Sequence, residues 1–240
     1  MKVMKLLCLA AMSLCAASQV ARAGDAAELN VLGFSADGKV FAFEEYGIQD
    51  GSGFAYANRF YIDTASDKFL PGTPVRVQME DESVGLDAAR AEARKRGDTI
   101  VKEEELAANR GRLAGFNAVT ETSADPFNMT VNPRPVFPPI DKQLEFKLAE
   151  ISFGEIERCA GIGPAKGFKL VRVDEDGKAE VLQEDKDVPQ SRGCPTGYRI
   201  GGVQTFFGDG GTPAYAVLVT VIRHGFEGPD HRWIAVTGQM

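Results

Sequence analysis

The chain has 240 residues, 44% of them hydrophobic and 25% charged, with 34 acidic side chains against 27 basic ones and a formal net charge of −7. That length supplies a real core, for one large domain or two small ones. The acidic excess argues against a nucleic-acid partner, which calls for a basic patch able to displace counterions from phosphates.

The opening MKVMKLLCLAAMSLCAASQVARAG sets Lys2 and Lys5 ahead of an uncharged run from Leu6 to Ala17 and closes on Ala21-Arg22-Ala23. This is the pattern of a secretory signal peptide, and it predicts cleavage between Ala23 and Gly24 with export to the periplasm or the medium. The apolar run falls short of the roughly twenty residues that span a bilayer as a helix. Neither Cys8 nor Cys15 follows a small residue, as a lipoprotein signal would require. No segment of the predicted mature chain reaches transmembrane length, and losing Lys2, Lys5 and Arg22 makes that chain more acidic still.

From Leu29 to Val77 aromatic and β-branched runs alternate with Asp37-Gly38, Asp50-Gly51-Ser52-Gly53 and Pro71-Gly72. Such punctuation signals hairpins and predicts strands near 29–35, 39–46, 57–64 and 74–79. Between Ser83 and Asn109 alanines and long charged side chains favour helix, with Gly97 placed as a C-terminal cap. The apolar stripe of Leu86, Ala89 and Ala93 is thin, so this helical segment is expected on the surface.

The stretch NPRPVFPPI at 132–140 carries Pro133, Pro135, Pro138 and Pro139 and reads as a stiff connector. The expected organisation is an N-terminal β unit at 24–131 with a helical insertion, this connector, and a C-terminal β unit at 141–240, or one continuous domain. Beyond the prolines QLEFKLAEISFG alternates at period two, and GFKLVRVDEDGKAEVL gives two strands around Asp176-Gly177. The run Ala214 to Ile222 is apolar on both alternating faces, which predicts a central strand covered on both sides. HRWIAVT at 231–237 resembles NRFYIDT at 58–64, as a diverged pair of hairpin units or by convergence of strand composition.

Cys159 and Cys194 remain after the predicted cleavage, a natural number for one disulfide in an oxidising compartment. Such a bridge would contribute roughly 3 to 4 kcal/mol in the chain-entropy model. A free thiol or half of a metal site, the alternatives, lack any CxxC or Cys-His spacing.

The stretch FSADGKVFAF with NRFYIDTAS is similar to a blade of periplasmic β-propellers of the Tol type, which implies a blade-like antiparallel sheet. More widely, the signal peptide, LGFSADGKVFAFEEYGIQDGSGFAYANRFYIDT, the helical middle, the paired cysteines and HRWIAVTG resemble a family of predicted secreted bacterial proteins known as a domain of unknown function. That resemblance implies export from a Gram-negative bacterium and a shared architecture, and no activity.

Chemical motifs are sparse. His224 and His231, with Asp230 or Glu227, could form a three-ligand metal site at a hairpin tip, but no motif spacing supports it. No GxSxG occurs, and GIGPAKG at 161–167 lacks the GK[ST] ending of a phosphate loop. Glu44 and Glu45 are adjacent on a predicted strand and point to opposite faces, so they do not make a shared carboxylate pair.

What remains is a pair of loops. One offers Asp50, Phe54, Tyr56, Asn58 and Arg59; the other offers His224, Phe226, Asp230, His231 and Arg232. Polar and aromatic side chains on loops held by a rigid sheet are a common recognition surface. The expectation is a mainly β protein of antiparallel sheets, sandwich or blade-like, with a surface helical segment near 83–109. Its expected role is non-enzymatic binding or envelope accessory work, with an envelope protein or a small ligand as partner, no cofactor, no metal and no assigned catalytic residue. A hydrolytic or metal-assisted enzyme using loop acids and His224 or His231 is the alternative.

Overall fold

A computed structural model describes residues 24–240, so the expected signal peptide, Ala23 included, lies outside the described residues. The protein is mainly β, built of three antiparallel sheets and two short helices.

The N-terminal sheet contains β1 (Glu28–Phe34), β2 (Val40–Ile48), β3 (Ala55–Asp63), the two-residue β4 (Lys68–Phe69) and β5 (Val75–Gln78). The first three form a meander, and β4 and β5 both pair with β3. Period-two alternation assigns each side chain of β2 and β3 to a face. Phe41, Phe43, Phe60 and Ile62 fall on one face and pack with Phe34, Ala216, Leu218 and Trp233. Ala42, Ala55, Ala57 and Tyr61 fall on the other, beneath α1 (Leu86–Gly97) and α2 (Glu103–Ala108). The thin stripe of α1 is a fit to this surface: Ala89 and Ala93 are fully buried against a sheet face that is itself largely alanine.

The middle sheet holds β6 (Arg112–Phe116), β11 (Pro195–Phe206), β12 (Ala214–His224) and β13 (Pro229–Gln239), in the order β13-β12-β11-β6. The outer sheet holds β7 (Asn128–Val131), β8 (Leu144–Ser152), β9 (Lys166–Val173) and β10 (Ala179–Glu184), in the order β10-β9-β8-β7. Strand β12 packs Tyr215, Val217, Val219 and Val221 against Phe146, Phe168 and Leu170 of the outer sheet. Its other face sends Ala214, Ala216 and Leu218 to the N-terminal sheet. It is therefore covered on both sides, and the layers run helix, sheet, sheet, sheet.

The proline-rich stretch joins β7 to β8, which are neighbours in one sheet, with Met129 opposite Phe146. Strand β6, which precedes the prolines, pairs with β11, which follows them. Cys159 and Cys194 form a disulfide with Cα atoms 5.6 Å apart. It anchors a small satellite core with Ala165 and Val188.

Strand β11 is invisible to simple propensity, since PTGYRIGGVQTF carries Gly197, Gly201 and Gly202. Packing explains Gly201: a Cβ there would lie 2.3 Å from Cζ3 of Trp233. The neighbouring indole takes the space that a side chain would use.

Candidate functional site

The edge strand β13 leaves the flank of the middle sheet open, and the N-terminal and outer sheets overhang it. Between them lies a cleft of about 790 Å³ whose floor is Trp233, Ile234, Ala235 and Val236. One wall presents Glu45, Asn58, Phe60, Arg76 and Gln78 from the N-terminal sheet; the other presents Phe168, Gln183 and Arg192.

Glu45 is buried, and its Oε2 accepts the main-chain N–H of Trp233 at 2.8 Å while its Oε1 accepts Nδ2 of Asn58 at 3.0 Å. Burial raises its pKa above the ordinary carboxylate value, against the pull of those two bonds. Asp67 has a left-handed backbone with φ of 53°. Its Oδ1 accepts the main-chain N–H of Thr237 at 2.7 Å and the Thr237 hydroxyl at 2.9 Å. Burial pushes its pKa up to about 6. Two carboxylates from different turns and strands thus cap the free edge of β13.

One end of the cleft is closed by a charged cluster. The segment before β1 runs alongside β13: Ala27 N–H donates to the His231 carbonyl, and His231 N–H to that of Asp25. Asp25 accepts from the Tyr56 hydroxyl at 3.0 Å and is paired with Arg232. Asp230 accepts the Asp25 N–H at 3.1 Å and pairs with Arg223 at 3.3 Å. Burial outweighs the Arg232 charge and raises the Asp25 pKa. The Tyr56 hydroxyl is likewise pushed up by burial. The pKa of His231 is lowered, first by burial and then by the neighbouring Arg199. The guanidinium of Arg232 also lies 4.9 Å from the Tyr56 ring centroid.

The structure divides the loop residues singled out from sequence. The two hairpin tips touch: Glu227 N–H donates to Oδ2 of Asp50 at 2.6 Å. A Cβ on Gly51 would lie 3.1 Å from the Phe226 ring, although Phe226 itself is 80% exposed. His224 is exposed, and Phe54 is partly buried beside the tip turn. Tyr56 and Asp230 are buried in the cluster just described, with His231 and Arg232 partly covered beside it. Asn58 lines the cleft wall.

Arg59 faces the helices, fully buried, with Nε 3.3 Å from Glu44 and its guanidinium also held by Glu103. Glu44 is shared with Arg90 at 2.8 Å, and Arg90 stacks 3.9 Å from the centroid of Tyr46. Glu44 and Glu45 stand on opposite faces, as strand alternation dictates. Among the described residues no group of three or more His, Cys, Asp or Glu side chains is placed to hold a metal ion.

Sequence reading did not single out Arg76, Asp67 or Ala235. Asp67 lies on a turn, Arg76 on a short strand and Ala235 within HRWIAVT; the cleft exists only because three sheets overlap at one edge.

Fold and cleft together define a disulfide-bridged protein of stacked antiparallel sheets with a polar, arginine-bearing cleft along an open sheet edge. The chain belongs to the DUF2259 family of predicted secreted proteins, whose match covers residues 42–239. No curated protein and no solved structure matches the chain. Among the described residues no helix is long and apolar enough to cross a membrane.

Proposed function

We propose that the protein is an exported, non-enzymatic binding or envelope-accessory module of the periplasm or extracellular space, cleaved after Ala23, whose ligand sits in the cleft over β13. The observation that carries the reading is the cleft itself. Its volume of about 790 Å³ falls within the range of roughly 300 to 1,000 Å³ typical of ligand sites, where apolar walls carry a few convergent polar groups. Phe69, which is exposed, and the half-buried Pro74 and Pro189 supply the apolar surface, and Arg76, Asn58, Gln78 and the β13 main chain supply the polar groups. Cleavage after Ala23 is supported by the pairing of Asp25 and Ala27 with His231, since a later cut would strip residues that complete the fold.

The test is a thermal-shift screen of the mature protein against small polar ligands and cell-envelope components, repeated on the Gln78→Trp variant. Gln78 is exposed on the cleft wall, so a bulky ring there fills the site without disturbing the core. A ligand that binds the native state raises the melting temperature, and the shift is expected to vanish in the variant. A flat screen, or shifts that Gln78→Trp leaves intact, overturns the reading. N-terminal sequencing of exported material checks the cleavage, with Gly24 expected first.

A further inference from the structure

Outward-facing amides on β13 recur at every second residue. His231 donates to the Asp25 carbonyl, Trp233 to Glu45 and Thr237 to Asp67. By the same period the Ala235 N–H points outward, between the two carboxylate-capped positions. Ala235 pairs with Leu218 across β12 in the same alternating class as the pairs of Trp233 and Thr237, so its N–H and carbonyl are not used within the sheet. Among the described residues no acceptor is hydrogen-bonded to the Ala235 N–H, and no donor to the outward carbonyls of Trp233 and Ala235. Trp233 and Ala235, which carry these groups, both line the cleft.

A main-chain donor flanked by two acceptors, here the Ala235 N–H between the carbonyls of Trp233 and Ala235, is what a short piece of antiparallel edge offers to an incoming strand. The wall above carries Arg76, exposed and with no carboxylate in salt-bridge reach among the described residues. Arg192 on the opposite wall is already neutralised by Asp185, Arg232 by Asp25 and Arg223 by Asp230. Among the described residues Arg76 is thus the one arginine of the cleft lining without a salt-bridge partner, while the Glu45 and Asp67 carboxylates of the same lining are already hydrogen-bonded to β13.

We propose that the cleft takes a short extended peptide segment that pairs its main chain with Ala235 and directs an acidic side chain to Arg76. The proposal rests on the reading of the cleft as a ligand site and names the ligand's class. Glu45 and Asp67 limit the pairing to a few residues, because each occupies an edge amide two positions from Ala235. The same caps keep a long strand from adding along β13, a common way in which sheet edges are kept from aggregating. A segment of about five residues at roughly 3.3 Å each spans the distance between the caps.

The test uses a library of N-acetylated, C-amidated pentapeptides with a central aspartate and the other positions varied, incubated with the mature protein and with two variants. Ala235→Pro deletes the open N–H, and proline is tolerated on edge strands where that group faces outward. Arg76→Ala deletes the cation from an exposed position. Selected peptides are expected to bind the wild type saturably, to shift the Ala235 amide resonance, to fail on Ala235→Pro, and to weaken about tenfold or more on Arg76→Ala, the loss of a charge-assisted contact. N-methylation of the peptide nitrogens that face β13 is expected to abolish binding to the unaltered protein, which keeps the test decisive if Ala235→Pro misfolds. Absence of any retained peptide at about 1 mM, or binding indifferent to N-methylation, overturns the proposal. Small ligands whose thermal shift is lost in Gln78→Trp, found alongside a negative peptide result, would sink this inference and leave the cleft reading standing.

Discussion

The carboxylate of Asp67 accepts the main-chain N–H of Thr237 at 2.7 Å, so a tight turn of the N-terminal sheet stops the free edge of the middle one. Its folded-state pKa of about 6 lies above the ordinary aspartate value of 3.8. A group displaced in that direction lends stability below its unfolded pKa and loses it as pH rises through the folded one. The free energy of unfolding of the wild type relative to Asp67→Asn is therefore expected to fall between pH 4 and pH 7, by at most about 3 kcal/mol. Asn keeps an acceptor for Thr237 and tolerates the left-handed backbone, whereas Asp67→Ala loses both and should cost about 2 to 4 kcal/mol. Urea unfolding across that pH range checks both; a wild-type advantage that grows with pH would contradict the assignment.

Arg59 and Glu44 are fully buried between the N-terminal sheet and the helices. Arg59→Met leaves Glu44 and Glu103 with fewer counter-charges, and removing one member of a buried pair costs about 3 to 5 kcal/mol. The loss should persist at high salt, because a buried pair is little screened. An effect below about 1 kcal/mol would show that the network behaves like a surface ion pair.

Gly201→Ala would set a methyl group 2.3 Å from the Trp233 ring. That ring is tied by its Nε1–H to the Ala27 carbonyl at 2.9 Å, and its backbone N–H to Glu45, so it has little room to yield. Overpacking of this kind costs about 1 to 3 kcal/mol. Trp233 is the single tryptophan of the chain, so a changed emission maximum in the variant reports the displacement directly.

The Cys159–Cys194 bridge closes a loop with a sequence separation of 35 residues. Replacing both with serine is expected to lower stability by roughly 3 to 4 kcal/mol. The 189–192 segment follows Val188 of the satellite core and contributes Pro189, Ser191 and Arg192 to the cleft wall. Hydrogen exchange should therefore quicken there before it quickens in β12.

Much of the architecture follows from alternation alone. The doubly apolar Ala214 to Ile222 run becomes a strand with a sheet on each side, the Asp-Gly turns sit at hairpin ends, and the alanine-rich segment near 83–109 forms helices. Strand β11 escaped because its glycines lower β propensity, and their reason, the indole against Gly201, belongs to another strand. β6 and β7 are short, and Leu113 and Phe116 of β6 stay half exposed, so neither carries a strong pattern.

The sequence by itself determined the export pattern, the β class, the helical cover and the pair of cysteines, because those depend on composition and on neighbours within a few residues. Only the tertiary structure decided that Arg59 is buried under the helices, that Asp50 and Glu227 bring the two tips together, and that Glu45 and Asp67 cap β13 on either side of Ala235. Those relationships join residues as many as 188 positions apart, and no local period encodes them. They arise where separate sheets, each shaped by its own alternation, are stacked by the burial of their apolar faces.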